Sequence, residues 1–369
     1  MGVGSAAEGP GRGNALDGVV IADFGRVLAA PYATMMLADL GAEVIKIEHP
    51  RGDETRAWGP PHAHGQATYF LSVNRNKVSR TIDLATPEGL AEARELALGA
   101  DVLVENFRPG TMQKFGLDYE SLSSVHKGLV YCSVTGFGAG KGAALPGYDL
   151  LVQAVGGLMS VTGTTEPTKV GVALVDVLTG LHAAVGILAA LRHRDRTGEG
   201  QLVEVDLLSV LLSSMVNQSA GYTLAGVVPG LMGNRHPSIA PYEVFPTADR
   251  PMVLAVGNDR QFERLWSALD LDPDPRFATN PDRVAHVDVL ADLLSARLRT
   301  RPAADWFALL TPLGVPCGPV NDLAGAVDLA QSLGLGPTVD VGGLNLVANP
   351  IRLSETPATY RLPPPNLAG

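Results

Sequence analysis

The chain has 369 residues, 46% of them hydrophobic, 18% charged and 5% aromatic, with a formal net charge of −10. That length exceeds what one compact core usually supports, so two domains are expected, and the composition is globular rather than disordered or fibrous. An acidic balance without a Lys/Arg tract speaks against nucleic acid or an anionic membrane as partner, so any phosphate must be met by a local basic pocket.

The opening "MGVGSAAEGPGRGNALDG" lacks the apolar centre of a signal peptide, and residues 1–17 read as a flexible leader. "GVVIADFGRVLAAPYATMMLADLGAEVIKIEHP" reads as a strand over Val19–Asp23, a loop, a helix ending near Gly41 and a strand over Glu43–Glu48. Apolar β-branched runs around a helix-period segment that stops at Gly are the layout of a parallel βαβ unit. The alternation continues with "SRTIDL" as a strand, "TPEGLAEARELALGA" as a helix opened by Thr86 and Pro87, and "DVLVENF" as a strand. A helix near 110–124 and the strand "GLVYCSVTGFG" follow. The fold class expected is α/β, with a Rossmann-like large domain over 18–225.

From about 176 to 226 the pattern is helical, broken once by the turn Thr-Gly-Glu-Gly and a short strand before another helix. A Gly/Pro-rich stretch near 225–250 marks a change of regime. "MVLAVG", "DRQFERLWSALDL" and "VDVLADLLSARLRTRPAADWFALLTPLG" then suggest a smaller α+β domain over 226–325, and 326–369 is expected to pack back on the large domain. Cys132 and Cys317 cannot build a disulfide framework and lack metal-site spacing, and Cys132 reads as a small buried strand residue. No metal is expected. The longest apolar run, 170–191, is interrupted by Asp176 and His182, so no membrane span is expected and the chain reads as cytoplasmic.

Two features bear on chemistry. "LVDVLTGLHAAVGILAAL" carries one carboxylate, Asp176, where a helix begins. The acid either caps the first turn or, held in an apolar pocket, serves as a nucleophile. The second feature is the turn "DFGRVLAAPYA", between a strand and a helix, with the acid Glu48 ending the next strand. A dinucleotide fingerprint needs G-x-G-x-x-G so that backbone can approach a pyrophosphate. Here one glycine is followed by Arg26, Val27 and Leu28, whose side chains obstruct that approach, so NAD(P) is not expected.

The stretches "DFGRVLAAPYATMMLADLGAEVIKIEHPRGDETR", "NRNKVSRTIDL", "VENFRPGTMQKFGLDY", "SVTGFGAGKG", "PGYDLLVQAVGGLMSVTG", "VDVLTGLHAAVGILAALRHRDRTGEGQ" and "HPSIAPYEVF" occur in family order. Together the chain resembles the family III CoA-transferases, the group that includes formyl-CoA transferase and carnitine CoA-transferase. The resemblance implies that Asp176 is the nucleophile. "VDVLTG" matches the family's G-D-x-x-T-G setting, with Val175 standing where glycine is common. It further implies an acyl-aspartyl anhydride followed by an aspartyl-CoA thioester, with the CoA thioester as substrate and no resident cofactor. Water exclusion and N–H donors for the oxyanion are needed, and "GGLMSVTGTTEP" and "LMGNRHPSIAPY" are loops able to supply such donors.

By the same resemblance the CoA site takes Val27, Leu28 and Ala29 along pantetheine and adenine, and Arg51 and Arg56 near phosphate. Ile82, Asp83 and Leu84, with Asn106, Phe107 and Arg108, match nucleotide-contacting stretches. Lys114 falls at a phosphate position, and Thr135, Gly136 and Phe137 line the pantetheine channel. Arg235 and His236 each admit two readings, a substrate carboxylate partner or a solvated charge and a turn-stabilising ring.

α-Methylacyl-CoA racemases share this fold and use a histidine in a G-H-D motif. The corresponding triplet here is Gly147-Tyr148-Asp149, and a neutral phenol is a poor substitute for a histidine base. Tyr148 and Asp149 are therefore placed with the CoA-site residues, Asp149 as a loop anchor or an acid. "GNRHPSIAPY" resembles members that handle short dicarboxylic acids and succinyl-CoA. The resemblance also implies an interlocked homodimer, and the partners expected are an acyl-CoA and a small carboxylic acid.

Overall fold

The central strands of the six-stranded main sheet are apolar, largely β-branched runs buried on both faces, whereas the edge strands alternate with polar residues and stay partly exposed. The six lie in the order Lys77–Thr81, Glu43–Glu48, Val20–Asp23, Val102–Glu105, Val130–Thr135 and Leu202–Asp206, every neighbouring pair parallel. Numbered along the chain this is the order 3-2-1-4-5-6 of a doubly wound nucleotide-binding sheet. Alternate strand residues feed two cores. Ile21, Val102, Val104 and Cys132 pack with the helices Ala29–Asp39 and Leu174–Thr197, whereas Ala22, Leu103 and Tyr131 pack with the helix Pro87–Gly99. Cys132 is fully buried, and burial pushes its thiol up to about 12.

The computed structural model describes residues 13–368, so residues 1–12 of the expected leader lie outside the described residues. Residues 14–17 are tied down rather than loose. The Asn14 N–H donates to the Asp17 carboxylate at 2.7 Å, and the Leu16 N–H to the Leu40 carbonyl at 3.0 Å.

Other expectations are corrected locally. The region 110–124 forms two short helices, Thr111–Lys114 and Tyr119–Ser123, because Gly116 adopts φ +62° between them and Asp118 caps the second. The third sheet strand starts earlier than "SRTIDL" suggested, which leaves Ile82, Asp83 and Leu84 beyond its end. A helix over Asp149–Val155 was not expected at all.

The helix Leu174–Thr197 is, against expectation, long and apolar enough to cross a membrane by length and composition. Its buried residues Val175, Thr179, Ala183, Ile187 and Leu191 pack into the large core. Gly180 sets its distance from the helix Ala29–Asp39, since a Cβ there would stand 2.6 Å from the Ala29 carbonyl oxygen. It ends at Gly198, φ +78°, whose N–H donates to the Arg194 carbonyl at 2.7 Å.

Two compact units result. One comprises residues up to 158, 170–227 and from 336 onward, and the other 159–169 and 228–335. The changes of unit after 227 and after 335 compare with the expected 225 and 325, and the excursion 159–169 was unforeseen. The second unit holds an antiparallel sheet of Cys317–Pro319, Met252–Ala255 and Tyr242–Phe245, with Phe245, Leu254, Leu265, Leu294 and Trp306 in its core.

The tail runs within the first unit. Arg75 pairs bidentately with buried Asp39 at 2.6 and 2.9 Å and donates to the Val347 carbonyl. Asn349 adds a bond to Asp39, and Asn76 exchanges bonds with residues 359–362.

Candidate active site

In a sheet of this order the ligand crevice forms at the carboxyl ends of strands, where the strand order reverses. Here that point lies between Val20–Asp23 and Val102–Glu105, so the loops starting at Phe24 and Asn106 face each other. Asn106 locks them together. Its Oδ1 accepts the Arg26 N–H at 2.9 Å and its Nδ2 donates to the Arg26 carbonyl at 2.8 Å. Val27 follows with φ +66°, a left-handed conformation that is costly for a β-branched residue, and its N–H is held by Asp53 at 3.2 Å.

Buried charge supports this loop from below. Lys46 donates to Asp53 at 3.0 Å and to the Gly25 carbonyl at 2.8 Å, and Lys77 donates to Asp23 at 3.0 Å. Burial pulls the Lys77 ammonium down to about 8 although Asp23 opposes the shift. Burial also works against the Asp23 carboxylate, yet Lys77 and Lys46 hold it below its ordinary value.

Two adjoining cavities open here, sharing Arg26, Glu54 and Phe107. The larger, about 640 Å³, is lined among others by Arg51, Trp58, Ile82, Asp83, Leu84 and Phe107. The smaller, about 170 Å³, gathers Val27, Leu28, Ala29, Asn106, Phe107, Arg108, Thr135, Gly136, Tyr148 and Asp176. Gly136 and Gly147 bring two of its walls into contact, because a Cβ on Gly147 would lie 2.6 Å from the Gly136 Cα. Tertiary structure therefore joins residues that are up to 149 positions apart in the chain, from Val27 to Asp176.

Asp176 sits in the first turn of its helix but does not cap it, and Ala173 at the N-cap position provides no side-chain bond. The cap comes from Asp149, whose Oδ1 accepts the Val175 N–H at 2.8 Å and the Asp176 N–H at 3.4 Å. Its other oxygen accepts from Gln153 Nε2 at 2.7 Å, and buried Gln153 is itself held by the Val170 N–H at 2.9 Å. Asp149 thus stands behind Asp176 rather than in the cavity lining. Burial first, and then the charge of Asp149, push the Asp176 carboxyl up to about 7. A helix N-terminus favours a carboxylate, so burial and the like charge outweigh the dipole here.

Several expected residues are not part of the assembly. Arg56 is not free for phosphate. It pairs bidentately with Glu48 at 2.7 and 2.9 Å, donates to Gln66 and the Pro365 carbonyl, and stacks 3.7 Å above the Phe70 ring. Lys114 ends an exposed helical turn and lines neither cavity. Phe137 packs against the core and not into the cavity.

Arg235 is engaged by Glu243 at 3.0 Å and Asp288 at 2.7 Å, and hydrogen bonding to Asp288 raises its pKa further. His236 Nδ1 accepts the Ser238 N–H at 3.1 Å, and its ring lies 5.3 Å from that of Tyr242. Both line a separate cavity of about 460 Å³ in the second unit.

Sequence reading missed Arg26, Glu54, Trp58 and Tyr69. Trp58 and Tyr69 meet edge to face at 5.4 Å. Burial, then the charges of Asp176 and Asp149, push the Tyr69 phenol up to about 12. The available signal for Arg26 was its place in the strand-to-helix turn, where it read only as an obstruction.

Residues 16–369 match the model of CoA-transferase family III. The chain is 43% identical to the succinate–glutarate CoA-transferase of Agrobacterium fabrum, over 97% of this chain and 94% of that protein. It is 40% identical to the succinyl-CoA:glutarate CoA-transferase of Mus musculus, over 95% of this chain and 84% of that protein. Among solved structures, a CaiB/BaiF family protein from Brucella suis superimposes with a TM-score of 0.88 at 41% identity, covering 96% and 97% of the two chains. A strand-to-helix turn filled by side chains, a carboxylate where the glycine-lined cavity closes, and these relatives converge: the chain is an enzyme belonging to CoA-transferase family III.

Proposed function

We propose that the protein moves CoA from an acyl-CoA, succinyl-CoA above all, to a short dicarboxylic acid, with Asp176 as nucleophile. The observation that carries this reading is Asp176 itself, seated in the cavity beside Val27–Ala29 and Asn106–Arg108 with its carboxyl raised to about 7. The relatives named for succinate and glutarate support the choice of acids.

The steps balance without ATP, because a thioester and an acid are exchanged for another thioester and acid. An Asp176 carboxylate oxygen bonds the donor acyl carbon, the C–S bond breaks, and CoA leaves as thiolate. The thiolate then attacks the Asp176 carbonyl carbon of the anhydride, releasing the donor acid and forming an aspartyl-CoA thioester. The acceptor carboxylate reverses the sequence, leaving as acyl-CoA and restoring Asp176.

The environment that raises the Asp176 pKa also favours these intermediates. Burial and Asp149 penalise the carboxylate, and neither acyl-aspartate nor aspartyl thioester carries that charge. The helix Ala29–Asp39 begins at the cavity with no side-chain cap, and its first N–H groups suit the oxyanion of each tetrahedral step. The larger cavity, with Arg51 at an exposed rim, suits the nucleotide end of CoA. Tyr148 is exposed and phenolic where a racemase carries histidine, which agrees with transfer.

A homodimer completes this reading. Leu212, Val216, Tyr222, Leu224 and Val227 are exposed along 212–227, with Val216 at 69% and Leu224 at 87%, a run of apolar surface that a partner subunit would cover. Size-exclusion chromatography with light scattering should give twice the chain mass, and an active monomer would remove the dimer.

The decisive test is intact-protein mass spectrometry after brief exposure to succinyl-CoA, with Asp176→Ala in parallel. A mass increase equal to covalent CoA or succinyl, present in the wild type and absent in the variant, supports the aspartyl route. No adduct from a preparation that still turns over would refute it.

A further inference from the structure

The guanidinium of Arg26 lies where the two cavities join, and its geometry is half used. Nη1 donates to Glu54 at 2.8 Å. Among the described residues the buried Nε–H has no partner and Nη2 makes no hydrogen bond. Nε and Nη2 form the edge of the planar fork that meets a carboxylate with two parallel hydrogen bonds. The residue is held at its backbone and at one guanidinium nitrogen. Asn106 clamps the Arg26 backbone on both its N–H and its carbonyl, and the guanidinium lies 4.8 Å from the Phe107 ring centroid. A buried donor left unpaired is costly, and an acceptor entering from the adjoining cavity would remove that cost.

We infer that the free Nε–Nη2 edge of Arg26 is the site that binds the distal carboxylate of the dicarboxylic substrate while its other carboxyl group reacts at Asp176. The inference rests on the proposed CoA transfer and names what selects its acid. Arg26 and Asp176 line one cavity of about 170 Å³, small enough that a short dicarboxylate can reach both. Arg108, the other cation of that cavity, is solvent-exposed and not braced in this way. Glu54 stays on Nη1, so the incoming acid does not have to displace it. It does sense the Glu54 charge, which makes Glu54 a brake on dicarboxylate affinity.

The test compares Arg26→Gln, Arg26→Lys and Glu54→Gln with wild type in four measurements: KM for glutarate, KM for butyrate, Kd for free CoA, and covalent CoA on Asp176 by mass. Arg26→Gln should raise the glutarate KM roughly tenfold or more, the scale of losing charge-assisted bonds, and leave butyrate and free CoA unchanged. Arg26→Lys should fall between, and Glu54→Gln should lower the glutarate KM. Weaker CoA binding in Arg26→Gln would place the fork on the CoA chain and overturn the inference. Equal effects on glutarate and butyrate would reduce Arg26 to a structural role and overturn it as well. If the wild type forms no covalent CoA, the proposed transfer fails, whereas adduct formation with unaltered glutarate selectivity in Arg26→Gln sinks the clamp alone.

Discussion

Asp149 accepts the backbone N–H of Asp176 at 3.4 Å and that of its neighbour Val175 at 2.8 Å, so one carboxylate caps the helix that presents the other. The pair are like charges held close by a bond that also stabilises the helix start. Burial raises the Asp176 pKa, and the charge of the residue that fixes it in place adds to the rise.

Asp176→Asn should abolish the covalent adduct and CoA transfer and, at the same time, stabilise the fold. A carboxyl whose folded pKa is about 7 against an ordinary value of 3.8 costs stability as pH rises from about 4, and the full cost is reached above about 7. After discount for partial exposure, the variant should gain about 2 kcal/mol at pH 8 and nothing below pH 4. Thermal unfolding at both pH values checks this, and a variant less stable than wild type at pH 8 would contradict the buried-charge account.

In the proposed mechanism the ionised form of Asp176 attacks, so adduct formation should rise with pH and level off above about 7. Asp149→Asn removes the like charge while an amide oxygen still caps Val175, so the rising limb should move to lower pH. One bond to Gln153 is lost, at about 1 kcal/mol of stability. Single-turnover rates from pH 5 to 9 decide it, and an unmoved limb would mean that burial alone sets the titration.

Gly180→Ala puts a methyl group 2.6 Å from the Ala29 carbonyl oxygen and must spread the two helices that bring Asp176 to the Val27–Ala29 loop. Overpacking of this kind costs about 1–3 kcal/mol. The rate of adduct formation should fall with the melting temperature, while the pH limb stays in place. A fully active Gly180→Ala enzyme would show that the helix spacing is not what positions the carboxylate.

Arginines near the larger cavity should separate by role. Arg56→Gln leaves buried Glu48 without its bidentate partner and should cost about 3 kcal/mol of stability, with CoA affinity little changed in the folded fraction. Arg51→Gln, at an exposed rim, should weaken CoA binding severalfold without lowering the melting temperature. Lys114→Ala should alter neither. Calorimetric titration with CoA alongside thermal melts distinguishes the three.

Much of the fold was legible because its signals are local. The βαβ opening, Thr86 as a cap on its helix and the Gly198 stop each depend on hydrogen bonds or packing periods within a few residues. The parallel sheet follows from apolar runs buried on both faces in its central strands. The break at Gly116 was also local, yet a helical pattern on either side hid it.

The residue types of the site were visible too: a carboxylate before an apolar helix, small residues beside it, and basic residues after strand ends. Which arginine is free was not. Arg51 and Arg56 look alike in sequence, and only Glu48, Gln66 and the Pro365 carbonyl, the last from 309 residues away, occupy Arg56. The Asp149 cap acts across 26 residues, and the unpaired edge of Arg26 is an outcome of which donors the fold happens to meet. Sequence by itself determined most of the elements, the parallel βαβ character of the large sheet and the chemical inventory, since propensity, periodicity and capping are short-range. The tertiary structure alone decided the titration of Asp176 and the partners of each charge, because desolvation and Coulomb interactions sum over whatever is brought near in space.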